Sequence, residues 1–174
     1  LGTDLGLWRL RPRESEAVLL APRLERPLQA QNVNCVLVED HRRIWVGTSG
    51  GDLLRIDGAT GEARRFPLRT TQGDLVPNVG LYDLHRDASG SIWLASGSGL
   101  GRFSPASGAF ELPIAAGELP GSIVYAIEED AGGRLWLGTG RGLVRFDARL
   151  PPGRRSRVFD LADGVGNRGA LHPA

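Results

Sequence analysis

The sequence predicts an all-β chain of short antiparallel strands, and three observations predict it. The 174 residues include 25 glycines and 11 prolines, a glycine share roughly twice the usual ~7%, which points to many tight turns. The longest apolar runs, such as Ala17-Val18-Leu19-Leu20-Ala21-Pro22, fall far short of the roughly 20 residues a membrane helix needs. A tryptophan-centred block recurs at Trp45, Trp93 and Trp136, at spacings of 48 and 43 residues. That period is close to the ~40 to 50 residues of one β-propeller blade.

Each repeat begins with an inner strand, turns, and runs into the tryptophan strand. Val36-Leu37-Val38-Glu39-Asp40 leads to Ile44-Trp45-Val46-Gly47-Thr48. Leu84-His85-Arg86-Asp87 leads to Ile92-Trp93-Leu94-Ala95-Ser96, and Ile127-Glu128-Glu129-Asp130 to Leu135-Trp136-Leu137-Gly138-Thr139. A glycine turn and a third strand follow each block, opening at Gly51, Gly99 and Gly142. A fourth strand is expected at 62–68 and 109–114, after turns carrying Gly61 and Gly108. Four short strands joined by tight turns make an antiparallel meander whose twist suits face-to-face blade packing.

The block around Trp8 opens the chain without the strand that should precede it. The expected fold is therefore a β-propeller fragment of four-stranded antiparallel blades. The tail of a truncated blade covers 1–29, and blades cover 30–68, 69–114 and 115–162, the last with an inserted loop at 148–156. Residues 163–174, with Asp163-Gly164-Val165-Gly166-Asn167, are expected to lead into a further blade. Closed propellers use about four to eight blades, so this reading makes the chain an open arc completed by the remaining blades of a parent chain.

Charge and composition narrow the functional classes. Lys plus Arg number 21 against 20 Asp plus Glu, which is not the basic footprint that a nucleic-acid backbone selects. Cys35 is the only cysteine, and His41, His85 and His172 are scattered, so no metal site and no cofactor is expected. The glycine-rich stretches 47–51 and 96–99 lack a Gly-Lys-Ser/Thr ending and join two strands, so they read as turns and not phosphate loops. Leu94-Ala95 before Ser96 removes the nucleophile elbow of a serine hydrolase. Neighbouring carboxylates such as Glu39 and Asp40 alternate between strand faces, which argues against a paired acid and base.

The prominent residues repeat from blade to blade, which favours structural roles. Trp45, Trp93 and Trp136 are expected to pack between blades. Asp40, Asp87 and Asp130, at strand ends before turns, are expected to accept hydrogen bonds from turn N–H groups. Gly47 and Gly138 belong to the Trp-x-Gly-Thr block. Arg9, Arg55, Arg102 and Arg145 recur in the third strand, where they can pair with those aspartates or fringe the sheets. The stretch Pro151-Pro152-Gly153-Arg154-Arg155-Ser156-Arg157 is the least repetitive and most basic. Arg154 and Arg155 are its candidate binding residues, for an anionic or sugar ligand or a second subunit.

Taken together, Glu/Asp-x-x-Gly-x-Ile/Leu-Trp-x-Gly-Thr followed by Gly-Leu-x-Arg-Phe-Asp resembles the two-component regulator propeller repeat. Residues 124–147 are the nearest copy, whereas Ala95-Ser96 and His41-Arg42-Arg43 depart from it. The resemblance implies a ligand-sensing, non-catalytic segment of a periplasmic sensor anchored in the inner membrane. Its output module would be a histidine kinase or a diguanylate cyclase. It implies a small-molecule ligand, with a saccharide as one class, and a sensor homodimer, with no membrane contact by this segment. Two other readings stand beside it: a lyase-like propeller enzyme, which needs unlike polar residues at equivalent inner-strand ends whereas the repeats are expected to carry similar ones, and a protein-binding scaffold.

Overall fold

A computed structural model gives the architecture. It describes the backbone of 2–3, 6–10 and 17–19, then residues 32–160 apart from 41, 70–72, 74–75 and 77–79, and finally 163–164. The fold is all-β, with a short 3-10 turn at Ala116–Glu118. Strands β1 (Gly2–Thr3), β2 (Gly6–Leu10) and β3 (Ala17–Leu19) form a three-stranded antiparallel sheet. Trp8 and Arg9 lie on β2, and nothing is described of their side chains.

Three four-stranded meanders follow, each in sequence order. Blade 1 comprises β4 (Val33–Val38), β5 (Arg43–Thr48), β6 (Leu53–Asp57) and β7 (Ala63–Phe66). Blade 2 comprises β8 (Leu81–Arg86), β9 (Ile92–Ser96), β10 (Gly99–Phe103) and β11 (Phe110–Ala115). Blade 3 comprises β12 (Val124–Glu129), β13 (Leu135–Thr139), β14 (Gly142–Phe146) and β15 (Ser156–Phe159). The inserted loop therefore precedes the fourth strand of its blade and does not replace it.

Period-two alternation divides each blade between two layers. In blade 1, Trp45, Leu53 and Phe66 enter a cluster with Leu84, Leu94 and Phe103 of blade 2. The intervening Val46, Leu54 and Ile56 form a separate cluster with Val33. Blade 2 repeats the arrangement: Trp93, Ala95 and Leu100 pack with Val124, Leu137 and Phe146 of blade 3. Each fully buried large side chain contributes about 1.5–3 kcal/mol relative to exposure, so the inter-blade layers are the core.

The inner strands β4, β8 and β12 share a register shift, between Val33 and Cys35, Leu81 and Asp83, and Val124 and Ala126. The bulged residues are Asn34, Tyr82 and Tyr125. This common irregularity aligns the blades: Cys35, Asp83 and Ala126 are equivalent, as are Leu37, His85 and Glu128. The inner strands thus carry unlike side chains, whereas the tryptophan strands are nearly uniform.

Candidate functional site

The turn between the first two strands of each blade has a common frame. Glu39, Asp87 and Asp130 donate their N–H to the carbonyls of Arg43, Ser91 and Arg134. In blade 2, Asp87 Oδ1 accepts from the Ser91 N–H at 3.0 Å and the Ser89 hydroxyl at 2.5 Å, and Oδ2 accepts from the Trp93 indole at 2.9 Å. In blade 3, Asp130 accepts from the N–H groups of Gly132 (2.9 Å) and Arg134 (3.1 Å) and from the Trp136 indole (3.0 Å). The repeated carboxylate fastens both the turn and the tryptophan.

Asp40 is not the third member of this set. It lies one residue further along, at the position of Ala88 and Ala131, and the residue in register with Asp87 is Glu39. Gly90 and Gly133 turn at positive φ (83° and 73°), whereas Arg42 stands in their place. Ser122 is the only non-glycine residue at positive φ among those described. Without that glycine the turn closes on Asp40 instead, whose Oδ1 accepts from the N–H groups of Arg42 and Arg43, both at 2.8 Å. Glu39 turns to Arg43 (3.3 Å) and across to Arg86 of blade 2 (2.8 Å).

Charge follows geometry. The Arg42 and Arg43 N–H groups and the Arg43 guanidinium hold Asp40 at about 2. Burial works to raise Asp130, but the Arg134 N–H, the Trp136 indole and the Arg134 guanidinium outweigh it and hold the carboxyl at about 2. Burial opposes the same outcome at Asp87, where the Ser89 hydroxyl and Trp93 indole keep the carboxyl below its ordinary range.

Trp45 and Trp93 occupy the inter-blade layers. Trp45 is 1% exposed and meets Phe66 of its own blade (5.3 Å) and Phe103 of the next (5.9 Å, edge-on). Trp93 meets Phe146 of blade 3 (5.7 Å, edge-on). Trp136 lies against Phe159 of its own blade (5.4 Å) and is half-buried. Gly47 leaves room for the next blade, since a Cβ there would meet Cys35 Sγ and come within 2.9 Å of Leu81 Cβ. At Gly138 a Cβ would lie an ordinary 3.5 Å from Ala126 Cβ. The hydroxyl ending the block closes the next turn, with Ser96 Oγ donating to the Gly99 carbonyl at 2.9 Å and Thr139 Oγ1 to Gly142 at 2.8 Å.

The unlike inner-strand residues are used in joining blades. Asp83 accepts from the Leu84 N–H at 2.8 Å and, across the interface, from the Ile127 N–H at 2.9 Å. His85 Nε2 lies 2.7 Å from Glu129 Oε2 of blade 3. Cys35 is buried, and its thiol is pushed up to about 12 by burial and then by the Asp83 charge. No cluster of three or more His, Cys, Asp or Glu side chains that could hold a metal occurs among the described residues. His41 and His172 lie outside them.

Several surfaces remain open to binding. At one end of the sheets the bulged Tyr82 and Tyr125 stand 5.3 Å apart, with Tyr125 48% exposed. Sequence reasoning missed this pair because the bulge that brings the tyrosines together has no local signature. At the other end lies the basic loop: Arg155 Nε donates to the Leu150 carbonyl at 2.7 Å, and Arg154 is exposed. On that same end a cleft of about 280 Å³ opens between blades 1 and 2, with Glu39, Arg43, Trp45 and Arg55 on one wall and Arg86 and Ser91 on the other.

Comparison with known proteins bears on this repeat. Residues 118–141, which run through β12 and β13, match the family model described as two component regulator propeller. The first two strands of blade 3 match the two-component regulator propeller repeat. The matched model describes a regulator propeller segment, not a catalytic domain. No curated protein matches the chain. Among solved structures, this chain is similar to the extracellular domain of BT3049 from B. thetaiotaomicron, described as a hybrid two component system. The TM-score is 0.67 at 22% identity, over 93% of this chain and 21% of that one. It is similar also to the extracellular domain of BT4673 from the same organism, with a TM-score of 0.63 at 18% identity, over 90% of this chain and 27% of that one. The chain thus spans about a quarter of the length of the domains it matches, and at these identities the likeness shows a shared fold.

Proposed function

We propose that the chain is a sensing segment of an extracytoplasmic receptor in two-component signal transduction, itself non-catalytic. The observation that carries the reading is the regulator propeller repeat in a blade stacked on two others of the same build. The likeness to extracellular domains of hybrid two component systems supports it. On this reading the segment lies in the periplasm and the parent protein is anchored in the inner membrane. The blades are a rigid platform, and exposed groups such as Tyr125 and Arg154 meet a small molecule, with a saccharide as the favoured class. Ligand occupancy shifts a sensor homodimer between two arrangements that differ in affinity.

The test uses the full-length protein with a transcriptional or phosphorylation readout. A panel of saccharides should include one class that changes the output, and Arg154→Ala with Arg155→Ala should weaken that response if the basic loop takes part. An output that no small molecule moves, in cells where deletion of these blades also changes nothing, would overturn the sensor reading. A phosphatase fused directly after the chain should be active in the periplasm, and activity confined to the cytoplasm would contradict the proposed location.

A further inference from the structure

Blade 2 shows what a tryptophan and its strand partner arginine need. Trp93 and Arg102 are register partners, and both approach one oxygen: Asp87 Oδ2 accepts from the indole at 2.9 Å and lies 3.9 Å from Arg102 Nη2. In blade 1 the corresponding partners are Trp45 and Arg55. Here the carboxylate in register, Glu39, is engaged by Arg43 and Arg86. The buried Trp45 Nε1 has no hydrogen-bond partner. No carboxylate among the described residues lies within ion-pair distance of Arg55, whose guanidinium sits 5.9 Å from the Trp45 and Phe66 ring centres. A buried N–H without an acceptor is unfavourable, so this pair of donors is a directed feature of the interface.

Both donors belong to walls of the 280 Å³ cleft between blades 1 and 2. The indole N–H of blades 2 and 3 points at the turn carboxylate. The same position in blade 1, Glu39, lines this cleft together with Trp45. Arg43, Arg55 and Arg86 line the cleft; Arg43 is held by Asp40 and Glu39 and Arg86 by Glu39, which leaves Arg55 without a carboxylate among the described residues, and the hydroxyls of Ser89 and Ser91 complete a polar rim.

We propose that this cleft binds a small hydroxylated carboxylate, with one ligand oxygen taking the part that Asp87 Oδ2 plays in blade 2, between the Trp45 indole and the Arg55 guanidinium. Charge-assisted hydrogen bonds of this kind are the strong ones. The serine rim receives the ligand hydroxyls, and the guanidinium of Arg55, which has no carboxylate partner among the described residues, selects against a neutral sugar. The site is independent of signalling, because binding is read on the purified chain.

The probes are D-glucuronate and, as neutral control, D-glucose, measured by calorimetry and by the indole ¹H–¹⁵N signals, with Trp45 assigned through Trp45→Phe. Glucuronate should bind saturably and move the Trp45 signal, while glucose should do neither. Arg55→Gln should weaken glucuronate by about tenfold or more. Glu39→Asp installs the residue that accepts the indole N–H in the other blades. It should weaken binding comparably while the circular dichroism of the sheets is retained. No saturable binding below ~10 mM, equal binding of glucose, or wild-type affinity in either folded variant would each overturn the proposal.

Discussion

Asp87 and Asp130 each hold a turn and an indole N–H at once, which makes them the residues on which a blade hairpin most depends. Asp87→Ala leaves the Trp93 N–H buried without its acceptor and should cost about 1–3 kcal/mol in a denaturant titration. Both carboxyls are depressed in the folded chain, so their contribution is complete above the ordinary carboxylate value of 3.8 and is lost as pH falls through the folded values towards about 2. The thermal midpoint should therefore drop between pH 4 and about 2, and less steeply in Asp87→Ala. Cys35 behaves in the opposite sense. Its thiol rises from 9.0 to about 12 on folding, so the stability linked to it is present below pH 9.0 and is lost as pH climbs towards 12. A thiol reagent at pH 8 should leave Cys35 unmodified until the chain unfolds, and rapid labelling of the native chain would contradict its burial.

At the scale of elements, the hairpin turns and the tryptophan strands carry different constraints. Gly47 lies where a Cβ would press on Cys35 and on Leu81 of the next blade. Gly47→Ala should therefore cost about 1–3 kcal/mol by overpacking, whereas Gly138→Ala, whose Cβ would sit 3.5 Å from Ala126, should be nearly neutral. Equal losses at both positions would mean that backbone freedom matters more here than space. The strands should also open unequally. All five residues of β9 are buried, whereas β15 is a sheet edge whose first three residues are exposed. Amide exchange should be slowest in β9 and fastest in β15, since protection follows burial and contact density.

Across the molecule, blades are joined by apolar layers and by a few directed polar ties. Asp83 to the Ile127 N–H, His85 to Glu129 and Glu39 to Arg86 all cross interfaces. Asp83→Ala leaves the Ile127 N–H unpaired at a blade junction and should destabilise the chain by about 1–3 kcal/mol, with the largest gain in exchange at β12. Much of this architecture was legible beforehand. The tryptophan period, the glycine turns and alternating apolar residues specify a meander and its repetition, because strand pairing inside a blade depends on residues close in sequence. The placement of Trp45 and Trp93 could be anticipated for the same reason, a large ring at a fixed point of a stacked repeat packing against the neighbouring blade, whereas Trp136 lies against Phe159 of its own blade. The equivalence of Glu39 with Asp87 could not be read so directly, because Glu39 and Asp40 are both acidic and only the turn hydrogen bonds distinguish them. The Tyr82–Tyr125 pair, the cleft at Trp45 and Arg55, and the ties of Asp83 and His85 were decided by tertiary structure alone. Each depends on how one blade sits against the next, a relation between residues some 40 positions apart that no local periodicity encodes.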